Sequence, residues 1–435
     1  MKLTIFQSNM GDCLMLTTAT GARILIDGGM VGSYQEHVAP TLGALRKAGE
    51  ELAVVCVSHV DNDHISGVLR MLDDEVEWRV HAYQRGAGNT GHRVPKAPRP
   101  PRVRNIWHNA FRDQVDKNTD EIVDTIAASA TILTAATDSR LERLGYEYSN
   151  LATGVSEAIR VSQRIADDQL GIPLNRPAQG KLMMVRASRK AITVGGMKLF
   201  VLAPFEDDLE NLRDEWNDWL REHKAAIADL RRRAREDVDR LGVSELDFFI
   251  QGLALDAEDL GRRSGVTPPN LASLMLLAEE SGKRVLLTGD GHADEVLRGL
   301  EHYGKLQPGG GLHVDVLKVP HHGAEFNTTP ELCRRITADH YVFCANGSHE
   351  NPDLAVIDLY ADSRLGSGQQ RSPNPEASRP FTFWFNSSSS NPDGEGTKRL
   401  AHFKKVEALA KKRSSKSGGK MKVKFMRKSL EEISI

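Results

Sequence analysis

Within six residues the sequence places four potential metal ligands, His59, Asp61, Asp63 and His64, directly after the apolar run VVCV. A lone histidine at the end of a strand is most often structural. Two imidazoles and two carboxylates crowded into one turn are different, because the carboxylates repel one another and a divalent cation is the usual compensation. Further chemistry-bearing groups lie far along the chain. Asp290 ends the run RVLLTGD, Lys318, His321 and His322 fall in LKVPHHGA, His349 falls in GSHENPD, and Asp27 precedes Gly28 and Gly29. The cysteines Cys13, Cys56, Cys333 and Cys344 are scattered, with no CxxC pair. A thiolate zinc site is therefore not expected, and the four read as buried reduced thiols of a cytoplasmic protein.

The order H-x-D-x-D-H resembles the metal loop of the metallo-β-lactamase superfamily, in which H-x-H-x-D-H is commonest. Asp61 stands in place of the second histidine, a feature of the branch resembling the soluble domain of the DNA-uptake protein ComEC. Other segments match that branch in order. They are Gly11-Asp12 with Asp27-Gly28-Gly29, Asn270 with Ser273 in NLASLMLL, the T-G-D ending at Asp290, Lys318 to Gly323 in KVPHHG, and His349 with Pro352. The resemblance runs from the N-terminus to about Pro352. It implies an α/β protein, a metallo-β-lactamase αββα four-layer sandwich, here with helical insertions and a basic C-terminal tail.

The resemblance also implies roles. His59 and Asp61 would hold one metal, Asp63 and His64 the other. Asp290 would bridge both, since a carboxylate has two oxygens, and His322 would complete the second site. His322 is preferred to His321 because Pro320 sets a P-x-H frame. His321 and Lys318 are then supporting residues around the metals. Asp27 either orients a ligand by hydrogen bonding or is a turn carboxylate before two glycines. Asp63 and His349 are the catalytic candidates, His349 for contacting a non-bridging oxygen or protonating a leaving group. The branch lacks a further histidine of the superfamily, so the first site is rich in oxygen. That favours Mn²⁺ over Zn²⁺ for the expected pair of divalent ions. Such a pair suits hydrolysis of a phosphodiester, with nucleic acid and DNA in particular as the expected substrate. A small-molecule hydrolase or a regulatory protein with a vestigial site are the alternatives.

The elements that must position these groups are legible as short β-rich runs: KLTIF, CLMLTT, ARILID, LAVVCVS, KLFVLAP, LASLMLL, KRVLLTGD, VDVLKVP and HYVFCA. Turn residues or helical patterns separate them, as in a layered α/β protein. The expected core covers 1–84 and 191–380. An insertion at 85–190 opens with the Arg/Pro-rich GHRVPKAPRPPRVR and continues with helical spacing. A charged helical insertion covers 205–247, with Trp216, Trp219, Leu220 and Ile227 as one apolar stripe. Residues 381–435 read as a basic flexible extension, with FNSSSSNPDGEGTKR and RSSKSGGK as connectors and KMKVKFMRKSL as an edge strand or a disordered tail.

The chain has 435 residues and a formal net charge of -2, unevenly spread. From Lys398 to Lys428 there are 13 Lys/Arg residues and one acidic residue, Glu407. Lys404, Lys405, Lys411 and Lys412 in that block, with Arg99, Arg102 and Arg104, are nucleic-acid candidates, and Trp107 is a candidate for base stacking. The connectors are also candidate sites for a regulatory protein or an activating protease. No apolar run reaches the length of a bilayer span, and the polar QSNMGD interrupts any signal-like N-terminus.

Overall fold

A computed structural model describes residues 1–109, 157–207, 209, 273–391 and 397–435. The strands are β1 Lys2–Phe6, β2 Leu14–Thr17, β3 Arg23–Ile26, β4 Glu51–Leu52, β5 Val54–Cys56, β6 Arg102–Val103, β7 Ile106–Trp107 and β8 Ile192–Val194. They continue with β9 Met197–Ala203, β10 Met275–Glu280, β11 Lys283–Leu287, β12 Leu312–Lys318, β13 Ile336–Phe343, β14 Phe381–Phe385, β15 Met421–Phe425 and β16 Leu430–Ser434. The main helices are α1 Ala39–Lys47, α2 Asn62–Gly86, α3 Ala293–His302, α4 Pro330–Arg335, α5 Leu354–Leu365 and α6 Thr397–Lys416.

Two sheets carry the architecture. The first has the order β16-β1-β2-β3-β5-β7 and the second β15-β14-β13-β12-β11-β10-β9-β8. Strand alternation explains why they stack. In the first sheet Leu3, Ile5, Leu14, Leu16, Ile24, Ile26, Val54 and Cys56 face one way. They meet Leu199, Val201, Leu276, Val285, Leu287, Val316 and Val342 of the second sheet in one buried cluster. The alternate residues Met15, Leu25 and Val55 face outward and pack under Leu42 of α1 and Ile65, Val68 and Leu72 of α2. On the far side Leu277, Leu286, Leu317, Tyr341 and Phe383 are covered by Val296, Ile357, Tyr360, Phe403 and Val406 from the later helices. The result is helix, sheet, sheet, helix, the four-layer α/β fold that the motifs implied.

The edges of the expected domains move. Residues 381–435 are not a flexible extension where described. Strand β14 continues the second sheet beside β13, and β15 pairs in parallel with β14. Strand β16 runs antiparallel to β1, with Lys2 opposite Ser434 and Phe6 opposite Leu430. The serine-rich connector is likewise built in: Asn386, Ser387 and Ser388 are buried, and Asn386 bonds to the Ala345 amide at 2.8 Å and to Ser8 Oγ at 2.9 Å. RSSKSGGK is mostly the last turn of α6 followed by a tight turn. Of the two readings of KMKVKFMRKSL, the edge strand is the one the fold contains, as β15 at the end of the second sheet, while LEEIS escaped notice because it buries Ile433 alone.

The insertion boundary at 85–190 also shifts. Helix α2 runs on to Gly86, and β7 inside that span pairs with β5 in the first sheet. Trp107 is 1% exposed within the inter-sheet core, so it offers no face for stacking a base. Most of the charged segment 205–247, including its Trp216–Ile227 stripe, lies outside the described residues, as do 110–156 of the first insertion and Asn270.

Candidate metal centre

The His59–His64 loop leaves the C-terminal end of β5 and turns into α2. Asp61 occupies the N-cap position of α2, yet its side chain makes no capping bond. Its Oδ2 instead lies 3.5 Å from His59 Nε2, and Oδ1 is buried without a hydrogen-bond partner among the described residues. Asp63 sits in the first turn of the helix, where the positive end of the helix dipole favours a carboxylate. Two glycines permit the close packing of this turn. A Cβ on Gly11 would lie 1.8 Å from the Asp63 carbonyl oxygen, and one on Gly67 2.0 Å from the Gly28 carbonyl oxygen. Residues 11 and 67 can only be glycine without moving the first turn of α2 off the sheet.

From the second sheet, Asp290 follows β11 and the His321–His322 turn follows β12. Both histidines adopt positive φ, 42° and 54°, in a tight turn after Pro320. The far-apart segments meet. The Nε2 atoms of His322, His64, His321 and His59 lie 3.0, 3.4, 3.6 and 3.8 Å from Asp290 Oδ2. His322 Nε2 is also 3.2 Å from Asp63 Oδ2, and His59 Nε2 is 3.5 Å from Asp61 Oδ2.

Each imidazole is anchored through its other nitrogen. His64 Nδ1 is 3.0 Å from Asp27 Oδ2, and His322 Nδ1 is 2.7 Å from the Cys344 carbonyl. His321 Nδ1 is 2.7 Å from Asn327 Oδ1, and His59 Nδ1 is 3.1 Å from Ser58 Oγ. With Nδ1 engaged as a donor, the neutral form of each ring would turn its Nε2 lone pair to the centre. Asp27 itself is held by the Ser58 amide and hydroxyl, each at 2.7 Å. Of its two sequence readings, the orienting one fits this geometry.

Two expectations change. Asp290 does not offer both oxygens to the centre. Its Oδ1 lies 3.3 Å from the Lys318 ammonium, and Oδ2 alone faces the four imidazoles. Lys318, fully buried, also donates to the Gly289 carbonyl at 2.8 Å and pairs with Asp12 Oδ2 at 2.5 Å. Asp12 is the second change. The sequence noted it only beside Gly11, yet its carboxylate joins His64, Asp290 and His322 in a group whose ligand atoms all lie within 4.8 Å of one another. His349 lies on the loop after β13, whose Pro352 packs on Gly323, and it is not one of the groups in this cluster.

The electrostatics follow from burial and charge together. Burial alone would favour neutral carboxylic acids and neutral imidazoles. Facing opposite charges overcome it, so Asp12, Asp63 and Asp290 are held below the ordinary carboxylate range. His64 and His322 are held well above the usual imidazole value, Asp290 being the chief charge opposing burial for each. His321 goes the other way: burial and the neighbouring His322 charge outweigh Asp290.

The donor set fits a divalent cation. His59 Nε2, Asp61 Oδ1 and Asp12 Oδ1 are buried with no hydrogen-bond partner among the described residues, an expensive condition unless something else satisfies them. The spacings are also right, because atoms about 2.0–2.2 Å from one ion sit roughly 3–3.5 Å from each other.

Residues 9–134 match the model of the metallo-beta-lactamase superfamily. That span carries the first sheet from β2 through β7 and the whole His59–His64 loop. Among solved structures, one similar chain is the Zn(2+)-bound PqqB from Methylobacterium extorquens, with 10% identity over 100% of both chains and a TM-score of 0.30. No curated protein matches the sequence.

Proposed function

We propose that this chain is a metal-dependent phosphodiesterase acting on nucleic acid, with DNA as the favoured substrate. The observation that carries the reading is the convergence of four Nε2 atoms on one oxygen of Asp290, with buried carboxylates on either side. His59 and Asp61 would hold one ion and Asp63, His64 and His322 the other, with Asp290 serving both. His321, expected only as support, also stands within reach of the first position. The oxygen-rich set supports Mn²⁺, with Zn²⁺ as the alternative. A pair of such ions supplies an activated water and charge stabilisation at a phosphoryl oxygen.

The chain's own groups do the remainder. Asp27, Asn327 and the Cys344 carbonyl keep the imidazoles in one tautomer and one orientation. Lys318 neutralises Asp12 and the outer oxygen of Asp290, so the excess negative charge is lowered without using the inner oxygen. His349, on the loop that packs against the His321–Gly323 turn, would be the group to meet a substrate oxygen or leaving group.

The basic helix supports a polyanionic substrate. Its first turns pack on the loop that carries His349: Arg399 donates to the Asn346 carbonyl at 3.1 Å, and His402 Nε2 is 3.0 Å from the Pro352 carbonyl. Phe403 and Val406 are buried while Lys404 and Lys405 are exposed, so α6 packs through its apolar side and leaves these lysines to solvent. The test is plasmid nicking with Mn²⁺. Wild-type protein should nick, and Asp63→Ala should lower the rate by at least about a hundredfold. Equal rates, or nicking without added or bound metal, would sink the proposal.

A further inference from the structure

A second built cavity lies at the other end of the first sheet. The metal loop follows the C-terminal end of β5, whereas this cavity of about 450 Å³ is formed where β5 and β7 begin. Helix α2 spans the two: Asp63 is in its first turn and Glu75, twelve residues later, is in the cavity wall, about 18 Å away by helical rise.

Six arginines line it: Arg46, Arg79, Arg99, Arg102, Arg104 and Arg176. Within the lining, Glu75 is the one acidic group. Arg99 grips it with two bonds of 2.9 Å and Arg79 adds one of 3.2 Å. Arg104 is paired outward with Glu51 at 2.7 Å. Among the described residues, Arg46, Arg102 and Arg176 have no side-chain hydrogen bond or ion-pair partner. Three unpartnered guanidiniums sharing one concavity repel each other, and a multiply charged anion relieves that repulsion.

The rest of the wall is apolar and fixed. Pro100, Pro101, Leu170 and Ile172 line it, and the two segments are pinned by the Arg104 amide on Leu52 at 2.9 Å and the Ile106 amide on Pro173 at 3.0 Å. Guanidiniums over an apolar floor suit an anion that carries a flat organic body. The volume is that of a small-molecule site, not of an open groove that follows a strand.

We infer that this cavity binds a nucleoside di- or triphosphate, its phosphates on Arg46, Arg102 and Arg176 and its base against the proline and aliphatic wall. This site is separate from the metal centre and does not depend on the phosphodiesterase reading. The same phosphate chemistry is offered by the end of a nucleic-acid strand, and the experiment separates the two. Fluorescent N-methylanthraniloyl-ADP and a labelled 5′-phosphorylated single-stranded oligonucleotide are titrated into the full chain, into Asp63→Ala, and into the triple variant R46A/R102A/R176A.

The expected result is saturable nucleotide binding that survives in Asp63→Ala and weakens at least about tenfold in the triple variant. Single Arg176→Ala and Arg176→Lys proteins, at an exposed position, repeat the comparison if the triple variant melts early, with the lysine form binding more tightly than the alanine form. Absence of saturable nucleotide binding at millimolar probe overturns the inference. So does unchanged affinity in the arginine variants, or binding of the oligonucleotide alone. Loss of nucleotide binding in Asp63→Ala would place the ligand at the metal centre and overturn it too.

Discussion

Asp27 shows how much a single carboxylate can settle. It touches no substrate-facing atom, yet it holds His64 through Nδ1 while Ser58 holds it in place with two bonds. Asp27→Asn keeps the shape but weakens the acceptor for His64, so metal affinity should fall about 10–100-fold while the melting temperature of the metal-free protein moves little. Chelator competition measures the first and calorimetry the second; unchanged affinity would demote Asp27 to a turn residue. His108, at the end of β7, makes a different prediction. Burial lowers its pKa to about 4 from 6.5, and neither ring nitrogen has a partner among the described residues. The unfolded chain therefore binds a proton that the folded one refuses between these values. Stability from this residue is full above pH 6.5 and is lost as pH falls toward 4, by about 3 kcal/mol. His108→Leu should flatten that part of the stability profile in urea titrations at stepped pH, and an identical slope would remove the assignment. At this scale the sequence was most legible where ligands crowd together, from His59 to His64. Asp12 was not legible as part of the centre, because its partner Lys318 enters from the opposite sheet and nothing local to Gly11 announces the pairing.

Among the elements, strands buried on both faces were plain in the sequence. KLFVLAP and KRVLLTGD are near-continuous apolar runs, as central strands of a two-layered sheet must be. The strand FTFWF was overlooked because it abuts a serine-rich stretch that looks like a linker, although Pro380 and Asn386 bound it as turn residues bound a strand. Strand β16 was harder, since LEEIS buries one large side chain in five residues. That side chain, Ile433, lies 3% exposed in the inter-sheet core. Ile433→Ala should cost about 2–5 kcal/mol in equilibrium unfolding, as for other buried isoleucines. A cost near zero would show that β16 is not docked in solution. The same docking bears on control of the site by proteolysis, because cutting within 417–420 would release strands from both sheets and not a loose appendage.

Across the whole molecule, the layered order and the place of the metal centre between the C-terminal strand ends follow from the alternation of buried residues and from the spacing of the motifs. The arginine cavity does not, because its wall is assembled from α1, α2, the segment before β7 and the turn at 170–176. Sequence patterns mark a Pro/Arg run as irregular, and only the fold shows that its prolines become a rigid wall. Helix α2 makes the two ends of the sheet one mechanical unit, with the metal ligands at its start and Glu75 and Arg79 further along its length. The pairing of β1 with β16 joins Lys2 to Ser434 across nearly the entire sequence. On the ribosome, the first strand must then wait for β16, several hundred residues later, before its outer edge is satisfied, and contacts of such long range form late. Until β16 emerges, a newly made chain would thus carry one unsatisfied strand edge, open to pairing with another chain.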